Sequence, residues 1–355
     1  MIYLSPPHMS GKELEYVKKV FESNYIAPVG EFIDKFEYMI EKYVNAKALA
    51  LINATSAIHL ALRVLGVRNS KVAVSTFTFI GSVNPILYEN NEPIFIDSDE
   101  SWQMDLNLLE EALKKEDIKA VIVVHVYGQS AKIKDIKFLC NKYGAFLIED
   151  SAEALGAEYE RKKVGTFGDF GIYSFNGNKL LTTSSGGVLV SQDETLIKKA
   201  RHLSSQAKEN YPWYEHKEVG FNYKMSNVLA AIGVGQMEVI EERIKRKREI
   251  FEIYKRNLAN LGEFQPEIPN SKGNRWLSCI EFKDLNPIEV MNKLKENQIE
   301  SRLLFKPMHL QPLFKKSKAY LNGKSEKLFK KGLSLPSGSN MSDEDIQRVI
   351  DAIKN

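Results

Sequence analysis

The feature that most constrains the fold is a regular alternation of short apolar runs and amphipathic stretches over the first two-thirds of the chain. Strands that alternate with helices in this way form βαβ units, whose strands lie parallel in one sheet. Helices cover both faces of such a sheet, so its strands are continuous hydrophobic runs. The predicted strands are residues 48–53, 71–75, 93–97, 120–126, 145–150, 171–175 and 187–191.

Helical patterns separate the first five of these strands, and the pattern changes near residue 226. The order predicts an α/β fold with a mostly parallel central sheet and helices on both faces. We expect a large domain over residues 1–240 and a smaller C-terminal α+β domain over 241–355, which contains a further strand at 276–282. The predicted helices are residues 56–65, 80–88, 105–115, 133–143, 227–261, 287–297 and 343–354.

Composition excludes several classes of function. The chain has 355 residues, 49 basic and 46 acidic side chains and a formal net charge of +3, which gives no electrostatic case for nucleic acid or an anionic membrane. Its two cysteines lack metal or redox spacing, so we expect buried structural thiols and no metal site. With no signal-like N-terminus and no long apolar run, we expect a cytoplasmic protein without a membrane segment.

Polar motifs follow several of the predicted strands, where ligands collect in a parallel sheet. Residues 53–57 (NATSA) end the first strand and open a helix, so Thr55 and Ser56 could help to hold an anion at the helix N-terminus. The alternative is that one of these hydroxyls simply caps the helix. Phe79 follows the second strand, where it could lie against an aromatic ligand or belong to the core.

Two charged residues follow later strands. Asp150 ends a strongly apolar strand, and a buried carboxylate there requires a positive partner, such as a protonated ring nitrogen or a structural cation. Lys179 lies 29 residues further on (179 − 150), in a polar loop after another apolar run. A lysine in a partly buried loop can lose its proton and react as a nucleophile, whereas most lysines are solvated surface charges. The order of these motifs is what favours a site.

The same motifs resemble those of a known family, the sugar aminotransferases of the DegT/DnrJ/EryC/StrS group, over essentially the whole chain. The most specific element is residues 174–179 (SFNGNK) followed by 182–183 (TT). The resemblance implies an aspartate aminotransferase-like (type I) fold and the cofactor pyridoxal 5'-phosphate. Further matching motifs are residues 26–30 (IAPVG), 53–57 (NATSA), 149–153 (EDSAE), 220–225 (GFNYKM) and 335–336 (LP).

Carried over position by position, the resemblance implies a role for each matching residue. Lys179 would bond covalently to the cofactor and then move protons at the substrate carbon. Asp150 would bind the cofactor's ring nitrogen, and Phe79 would stack on its ring. Asn222 would reach the cofactor phosphate of a neighbouring subunit, so a homodimer with shared active sites is implied. The implied phosphate contacts are Thr55, Ser56 and Ser174, and the implied substrate contacts are Asn178, Arg302 and His309.

The chain departs from the family pattern at two positions. Glu153 stands where many members have glutamine or histidine near the cofactor's phenolic oxygen, and a carboxylate there would repel a phenolate unless it were protonated or turned away. We keep Glu153 as an expected cofactor contact, since glutamate also occurs in the branch that this chain resembles. Ser185 stands where glutamate or glycine is usual.

The resemblance implies an aminotransferase that uses L-glutamate and a nucleotide sugar as its two substrates. Residues 176–178 (NGN) resemble the branch that acts on the C4 ketone of UDP-linked 4-keto-6-deoxy-N-acetylhexosamines, as in bacillosamine synthesis. The alternatives are a dTDP- or GDP-linked keto sugar and a non-catalytic regulator that binds the cofactor or the sugar nucleotide. A sugar dehydratase of the family would carry histidine at the position of Lys179, and a desulfurase would need a cysteine in a mobile loop.

Overall fold

The computed structural model describes residues 1–354. Its strands are β1 (Lys47–Leu51), β2 (Lys71–Ser75), β3 (Glu92–Ile96), β4 (Ile118–Val124), β5 (Phe146–Asp150), β6 (Glu158–Tyr159), β7 (Lys162–Lys163), β8 (Phe170–Ser174), β9 (Gly187–Ser191), β10 (Gly262–Phe264), β11 (Ser271–Lys272), β12 (Ser278–Phe282), β13 (Arg302–Leu303), β14 (Ala319–Tyr320) and β15 (Gly332–Leu335). Its helices are α1 (Glu13–Ser23), α2 (Glu31–Val44), α3 (Ala54–Val64), α4 (Asn84–Tyr88), α5 (Leu106–Lys115), α6 (Ile133–Tyr143), α7 (Glu194–Ser204), α8 (Asn227–Met237), α9 (Ile240–Leu258), α10 (Pro287–Glu296), α11 (Lys324–Lys331) and α12 (Asp343–Lys354).

The central sheet has eight strands in the order β1-β9-β8-β5-β4-β2-β3-β14. Neighbouring strands run parallel from β14 through to β8, whereas β9 is antiparallel to both of its neighbours. Each strand predicted in the first 191 residues corresponds to a strand of this sheet within two residues at either end. The predicted α/β fold with a mostly parallel sheet is therefore confirmed.

Both faces of the central sheet are buried, which explains the continuous apolar runs. Val72 and Val74 of β2 pack in one core cluster with Leu62 of α3. Ala73, between them, faces the other side and packs with Leu109 of α5 and Ile136 of α6. Because successive side chains point to opposite faces, a strand covered by helices on both sides needs apolar residues at every position.

A second, smaller sheet is antiparallel, with the order β10-β12-β15-β13. Phe251 of α9, Val290 of α10 and Ile346 of α12 pack with Ile280 of β12 in one cluster. Two strands from beyond residue 241 pair with the first part of the chain, since β14 extends the central sheet and β11 pairs with β6. The C-terminal part is thus joined to the first part by strand pairing as well as by packing.

The prediction of one helix over residues 227–261 was wrong. The chain forms two helices, α8 and α9, and Val239 between them has non-helical backbone angles. α8 packs against α1 and α2, with Gly233 so close to α2 that a Cβ there would lie 2.6 Å from the ring of Phe36. Ile240 and Ile244 at the start of α9 still pack with α8, whereas from Ile250 onward α9 turns its apolar face to the smaller sheet. One straight helix could not cover both surfaces.

Candidate functional site

A cleft of about 350 Å³ lies at the carboxyl ends of the central strands. Its floor comes from the ends of β4, β5 and β8 and from the start of α3, while Trp276, Arg302 and Phe305 from the C-terminal part form its far wall. Parallel strands bring their carboxyl ends to the same edge, which is why motifs far apart in sequence meet there. The residues that were predicted for the site and line this cleft are Thr55, Phe79, Asp150, Glu153, Ser174, Asn178, Lys179 and Arg302.

The first turn of α3 forms one end of the cleft. Asn53 caps this helix, because its side-chain oxygen accepts a hydrogen bond from the backbone N–H of Ser56 at 2.8 Å. The cap is therefore not Thr55 or Ser56, and Thr55 lines the cleft with its neighbours Asn53 and Ala54. Ser56 itself is buried and does not line the cleft. A helix N-terminus with small residues presents backbone N–H groups and a positive dipole to an anion.

Asp150 ends β5 as a buried carboxylate that faces the cleft. One oxygen accepts a hydrogen bond from the hydroxyl of Ser82 at 2.6 Å, and the other accepts from the backbone N–H of Ala152 at 3.0 Å. The Ser82 hydroxyl in turn lies 2.8 Å from that of Thr78. No lysine or arginine within residues 1–354 pairs with this carboxylate. A buried anion with two neutral donors and no cation beside it suits a ligand that carries a positive charge.

Lys179 follows β8 in a loop and keeps only 14% of its side chain exposed. Its Nζ lies 3.4 Å from Oε1 of Glu153 and 4.1 Å from the ring centre of Trp276. The indole N–H of Trp276 donates to the backbone carbonyl of Asn178 at 2.8 Å, which ties the lysine loop to the far wall. The amine is therefore shielded from water in the same cleft as Asp150.

The carboxyl of Glu153 is almost fully buried beneath Lys179. Its Oε2 accepts a hydrogen bond from the backbone N–H of Tyr127 at 2.7 Å. Burial raises the pKa of this carboxyl, and Lys179 and the Tyr127 N–H act in the opposite direction. Both oxygens of Glu153 thus have partners within its own chain.

The remaining lining residues differ in exposure. Phe79 is 61% exposed at the mouth of the cleft. Arg302 is also exposed, and its guanidinium pairs with Glu300 at 3.0 Å on the far wall. The hydroxyl of Ser185, at the position that departs from the family pattern, donates to the carbonyl of Ile52 at 2.9 Å, so it joins the loop before β9 to the residue before the α3 cap.

Besides Ser56, two predicted residues do not line the cleft. His309 is held by a hydrogen bond between its Nδ1 and the hydroxyl of Thr76 at 2.8 Å, with its Nε2 3.5 Å from Glu326. These contacts hold its ring between the end of β2 and α11, and it does not line the cleft. Asn222 is exposed in a bridge with Ser205 and does not line the cleft of its own subunit.

Sequence reasoning missed several residues that shape the site. Ser82 lies inside a stretch that was predicted as plain helix, and its contact with Asp150 spans 68 positions. Trp276 begins a stretch that was predicted as an ordinary strand, and Tyr127 follows one. Trp276 offered one signal, since a large aromatic residue at the first position of a predicted strand can form one wall of a ligand site.

Within residues 1–354, no helix is long and apolar enough to cross a membrane. No group of three or more histidine, cysteine, aspartate or glutamate side chains in that range is arranged to hold a metal ion. Cys140 and Cys279 are both buried and unpaired with each other.

Comparison with known proteins gives a consistent result. The model of the DegT/DnrJ/EryC1/StrS aminotransferase family matches residues 7–354. A Bacillus subtilis protein described as the pyridoxal phosphate-dependent aminotransferase EpsN is 47% identical, over 99% of this chain and 95% of its own. The GDP-perosamine synthase of Escherichia coli O157:H7 is 37% identical, over 98% of this chain and 96% of its own.

A more distant relative and a solved structure extend the comparison. A Campylobacter jejuni UDP-4-amino-4,6-dideoxy-N-acetyl-beta-L-altrosamine transaminase is 29% identical, over 99% of this chain and 96% of its own. The crystal structure of the aminotransferase TlmJ from Streptoalloteichus hindustanus superposes with a TM-score of 0.94 at 26% identity, covering 100% of this chain and 98% of that one.

Proposed function

The chain belongs to the DegT/DnrJ/EryC1/StrS aminotransferase family, and from this premise we propose that it transfers the amino group of L-glutamate to the C4 ketone of a nucleotide-linked 4-keto-6-deoxy sugar. It is a pyridoxal-phosphate-dependent sugar aminotransferase. The observation that carries the proposal is that the buried carboxylate of Asp150 and the shielded amine of Lys179 open onto one cleft.

The residues of this cleft fit the cofactor. The uncompensated carboxylate of Asp150 suits a protonated ring nitrogen, and the amine of Lys179 opens onto the same cleft. The start of α3, with Thr55 and the backbone N–H groups near it, suits the phosphate, and Ser174 lies on the same cleft. When bound, pyridoxal phosphate delocalises the electron pair left on the substrate carbon after that carbon loses its proton.

Lys179 performs the proton transfers in this proposal. Its Nζ, once neutral, takes a proton from the α-carbon of glutamate and later gives one to the sugar carbon. Two neutral hydrogen-bond donors hold the carboxylate of Asp150 where it can pair with the protonated ring nitrogen. The far wall shields Lys179 from water, so the proton that its amine carries exchanges slowly with solvent.

The two substrates use the same cleft in turn. Asn178 and Arg302 line it, and we assign them to the nucleotide sugar. The guanidinium of Arg302 is exposed at the opening, where it can reach a diphosphate without losing its contact with Glu300. Because both substrates occupy one site, we expect ping-pong kinetics.

We also propose that Asn222 acts on the cofactor phosphate of a second subunit. Its side chain is exposed and lies outside its own cleft, in a segment with the exposed aromatic residues Trp213 and Tyr214. A mixing experiment tests this proposal with two inactive variants, Lys179→Ala and Asn222→Ala. Hybrid dimers contain one intact site if the sites are shared, so turnover should return on mixing and should stay absent if each subunit is self-sufficient.

Separate observations support UDP and GDP as the nucleotide that carries the sugar substrate. A UDP-linked N-acetylhexosamine is supported by the motif at residues 176–178 and by the likeness to the UDP-sugar transaminase of Campylobacter jejuni. A GDP-linked sugar is supported by the higher identity to GDP-perosamine synthases, 37% against 29%. Glutamate with UDP-, GDP- and dTDP-linked 4-keto-6-deoxy sugars, analysed by mass and NMR, will identify the base and the configuration of the new amine.

The proposal as a whole is tested by Lys179→Ala. We expect this variant to lose the visible absorbance of covalently bound cofactor and all turnover, while Lys179→Arg keeps the charge but restores neither. Normal turnover in Lys179→Ala would overturn the assignment. The non-catalytic alternative is tested with the wild type, because glutamate should convert its bound cofactor to the amine form, and a regulator would leave the absorbance unchanged.

A further inference from the structure

The amine of Lys179 lies in a pocket that is built for a cation. It faces Glu153 Oε1 at 3.4 Å on one side and the ring of Trp276 at 4.1 Å on the other. A carboxylate and an aromatic face both attract an ammonium group, and both attractions grow where water is excluded. The side chains of Lys179 and Glu153 are only 14% and 5% exposed.

Asn274 holds both walls of this pocket, and Tyr127 holds the carboxylate of Glu153 as well. Asn274 donates from Nδ2 to the backbone carbonyl of Glu153 at 2.9 Å, and its Oδ1 accepts the backbone N–H of Trp276 at 2.8 Å. Tyr127 adopts a left-handed backbone conformation, with φ of 54°, and its N–H holds Oε2 of Glu153. A non-glycine residue in that conformation is strained, and such strain persists where the surrounding structure enforces it.

Within this pocket, Oε1 of Glu153 contacts the amine of Lys179 and no other side chain. Oε2 is occupied by the Tyr127 N–H, whereas the one side-chain partner of Oε1 within residues 1–354 is the lysine amine. The contact with the cofactor's phenolic oxygen, which the resemblance implies for Glu153, stays a prediction beside this contact with the lysine.

We infer that Glu153 and Trp276 form the docking site of the free Lys179 amine, and that Glu153 sets the pH at which this amine becomes neutral. The inference rests on the proposed role of Lys179 and deepens it. The amine must lose its proton before it can react as a nucleophile or a base. A carboxylate beside it favours the ammonium form, so docking keeps the free amine charged and held in place.

Other ionisable groups around the pocket do not replace Glu153 in this role. Asp150 faces Glu153 from β5 and disfavours a second negative charge there. The phenol of Tyr127 and the thiol of Cys279 lie near Glu153, but burial raises the pKa of both, so both stay neutral. Among these neighbours Glu153 is therefore the one whose side chain contacts the amine directly.

The test measures how fast Lys179 bonds to pyridoxal phosphate as a function of pH. The full chain, freed of cofactor, is mixed with pyridoxal phosphate and the absorbance of the covalent product is followed. Relative to wild type, Glu153→Gln should lower the midpoint of this pH profile by about one to three units, because the amide no longer stabilises the ammonium. Glu153→Asp keeps the charge and should restore most of the wild-type midpoint.

Four further variants complete the design. Trp276→Leu should lower the midpoint by less than Glu153→Gln, whereas Trp276→Phe should stay nearer to wild type because it keeps an aromatic face. Glu100→Gln removes the same charge at an exposed position that pairs with Lys324, and should leave the midpoint unchanged. Lys179→Ala gives the baseline without covalent product.

The outcomes separate this inference from the proposed function. If wild type forms no covalent product that depends on Lys179, the proposed function fails. If wild type forms it but Glu153→Gln and Trp276→Leu both keep the wild-type midpoint, the docking site alone is refuted. A midpoint that falls equally in Glu100→Gln would also refute it, because the effect would then reflect net charge.

Discussion

Asp150 illustrates how single residues define the chemistry of this site. Its carboxylate can only accept hydrogen bonds, so the Ser82 hydroxyl must donate to it and therefore accepts from Thr78. The two hydroxyls thus form an oriented chain that ends at the carboxylate. Because both contacts are buried, the orientation is maintained without water.

Replacing Ser82 tests the importance of this chain. In Ser82→Ala the carboxylate of Asp150 loses the hydroxyl that holds it, a contact that contributes ~1.5 kcal/mol. We expect pyridoxal phosphate to bind about tenfold more weakly, because the carboxylate is no longer held where it faces the cleft. Dissociation constants will show this, with Ser82→Thr as the control that keeps the hydroxyl. Equal dissociation constants for Ser82→Ala and wild type would contradict it.

Arg302 offers a second prediction at the residue scale. Its guanidinium is exposed and pairs with Glu300, so Arg302→Ala should raise KM for the nucleotide sugar by about tenfold, the loss of one charge-assisted hydrogen bond. The affinity for pyridoxal phosphate should not change. Arg348→Ala on α12 removes an equally exposed arginine and should leave KM as it is. An unaltered KM in Arg302→Ala would exclude Arg302 from substrate binding.

At the scale of elements, the close packing of β9 against the start of α3 shapes the phosphate end of the cleft. A Cβ at Gly187 would lie 2.4 Å from the carbonyl carbon of Asn53 and 2.5 Å from the nitrogen of Ala54. Those are backbone atoms, which cannot move aside as a flexible side chain can. Glycine is therefore required at the first residue of β9, so that α3 can begin where it does.

Gly187→Ala should displace the first turn of α3. We expect it to lower the free energy of unfolding by about 1–3 kcal/mol and to weaken binding of pyridoxal phosphate. Urea unfolding and cofactor titration measure the two effects. Gly177→Ala is the matched control, because a Cβ there meets no heavy atom within 4 Å, and it should unfold like wild type. Wild-type stability in Gly187→Ala would contradict the packing argument.

At the scale of the whole molecule, one buried lysine joins segments from both ends of the chain. Lys247 of α9 is 1% exposed, and its Nζ contacts the carbonyls of Ser337 at 2.7 Å and Trp276 at 3.0 Å and the hydroxyl of Ser5 at 3.4 Å. Burial lowers the pKa of Lys247 to about 7. The amine donates to all three of these oxygens, so its hydrogen bonds are satisfied without a carboxylate.

The lowered pKa of Lys247 predicts a pH dependence of stability. Between about pH 7 and the pKa of an unfolded lysine near 10.4, the unfolded chain binds a proton that the folded chain does not, so this residue makes stability rise with pH. Compared with Lys247→Met, the free energy of unfolding of wild type should increase by up to ~1.4 kcal/mol per pH unit in this window. Urea unfolding of both proteins across pH will show it, and a constant difference would contradict it.

The sequence determined seven of the eight strands of the central sheet, with ends within two residues, and did not predict β14. Apolar runs of β2 and β9 match their predicted bounds, because burial on both faces leaves a pattern that can be read locally. Asp150 was identified for a related reason, since it ends such a run at the edge of the sheet where ligands bind. Lys179 was singled out from the order of the motifs, which resembles that of the aminotransferase family. Both line the cleft.

Only the tertiary structure decided which distant side chains meet. Lys179 contacts Trp276, and Asp150 contacts Ser82, through loops whose paths no local periodicity records. The break between α8 and α9 was missed for the same reason, because each helix is regular and only the two surfaces that they cover require a change of direction. A local pattern reports whether a residue is buried, whereas its partner is decided by packing that the whole chain must satisfy together.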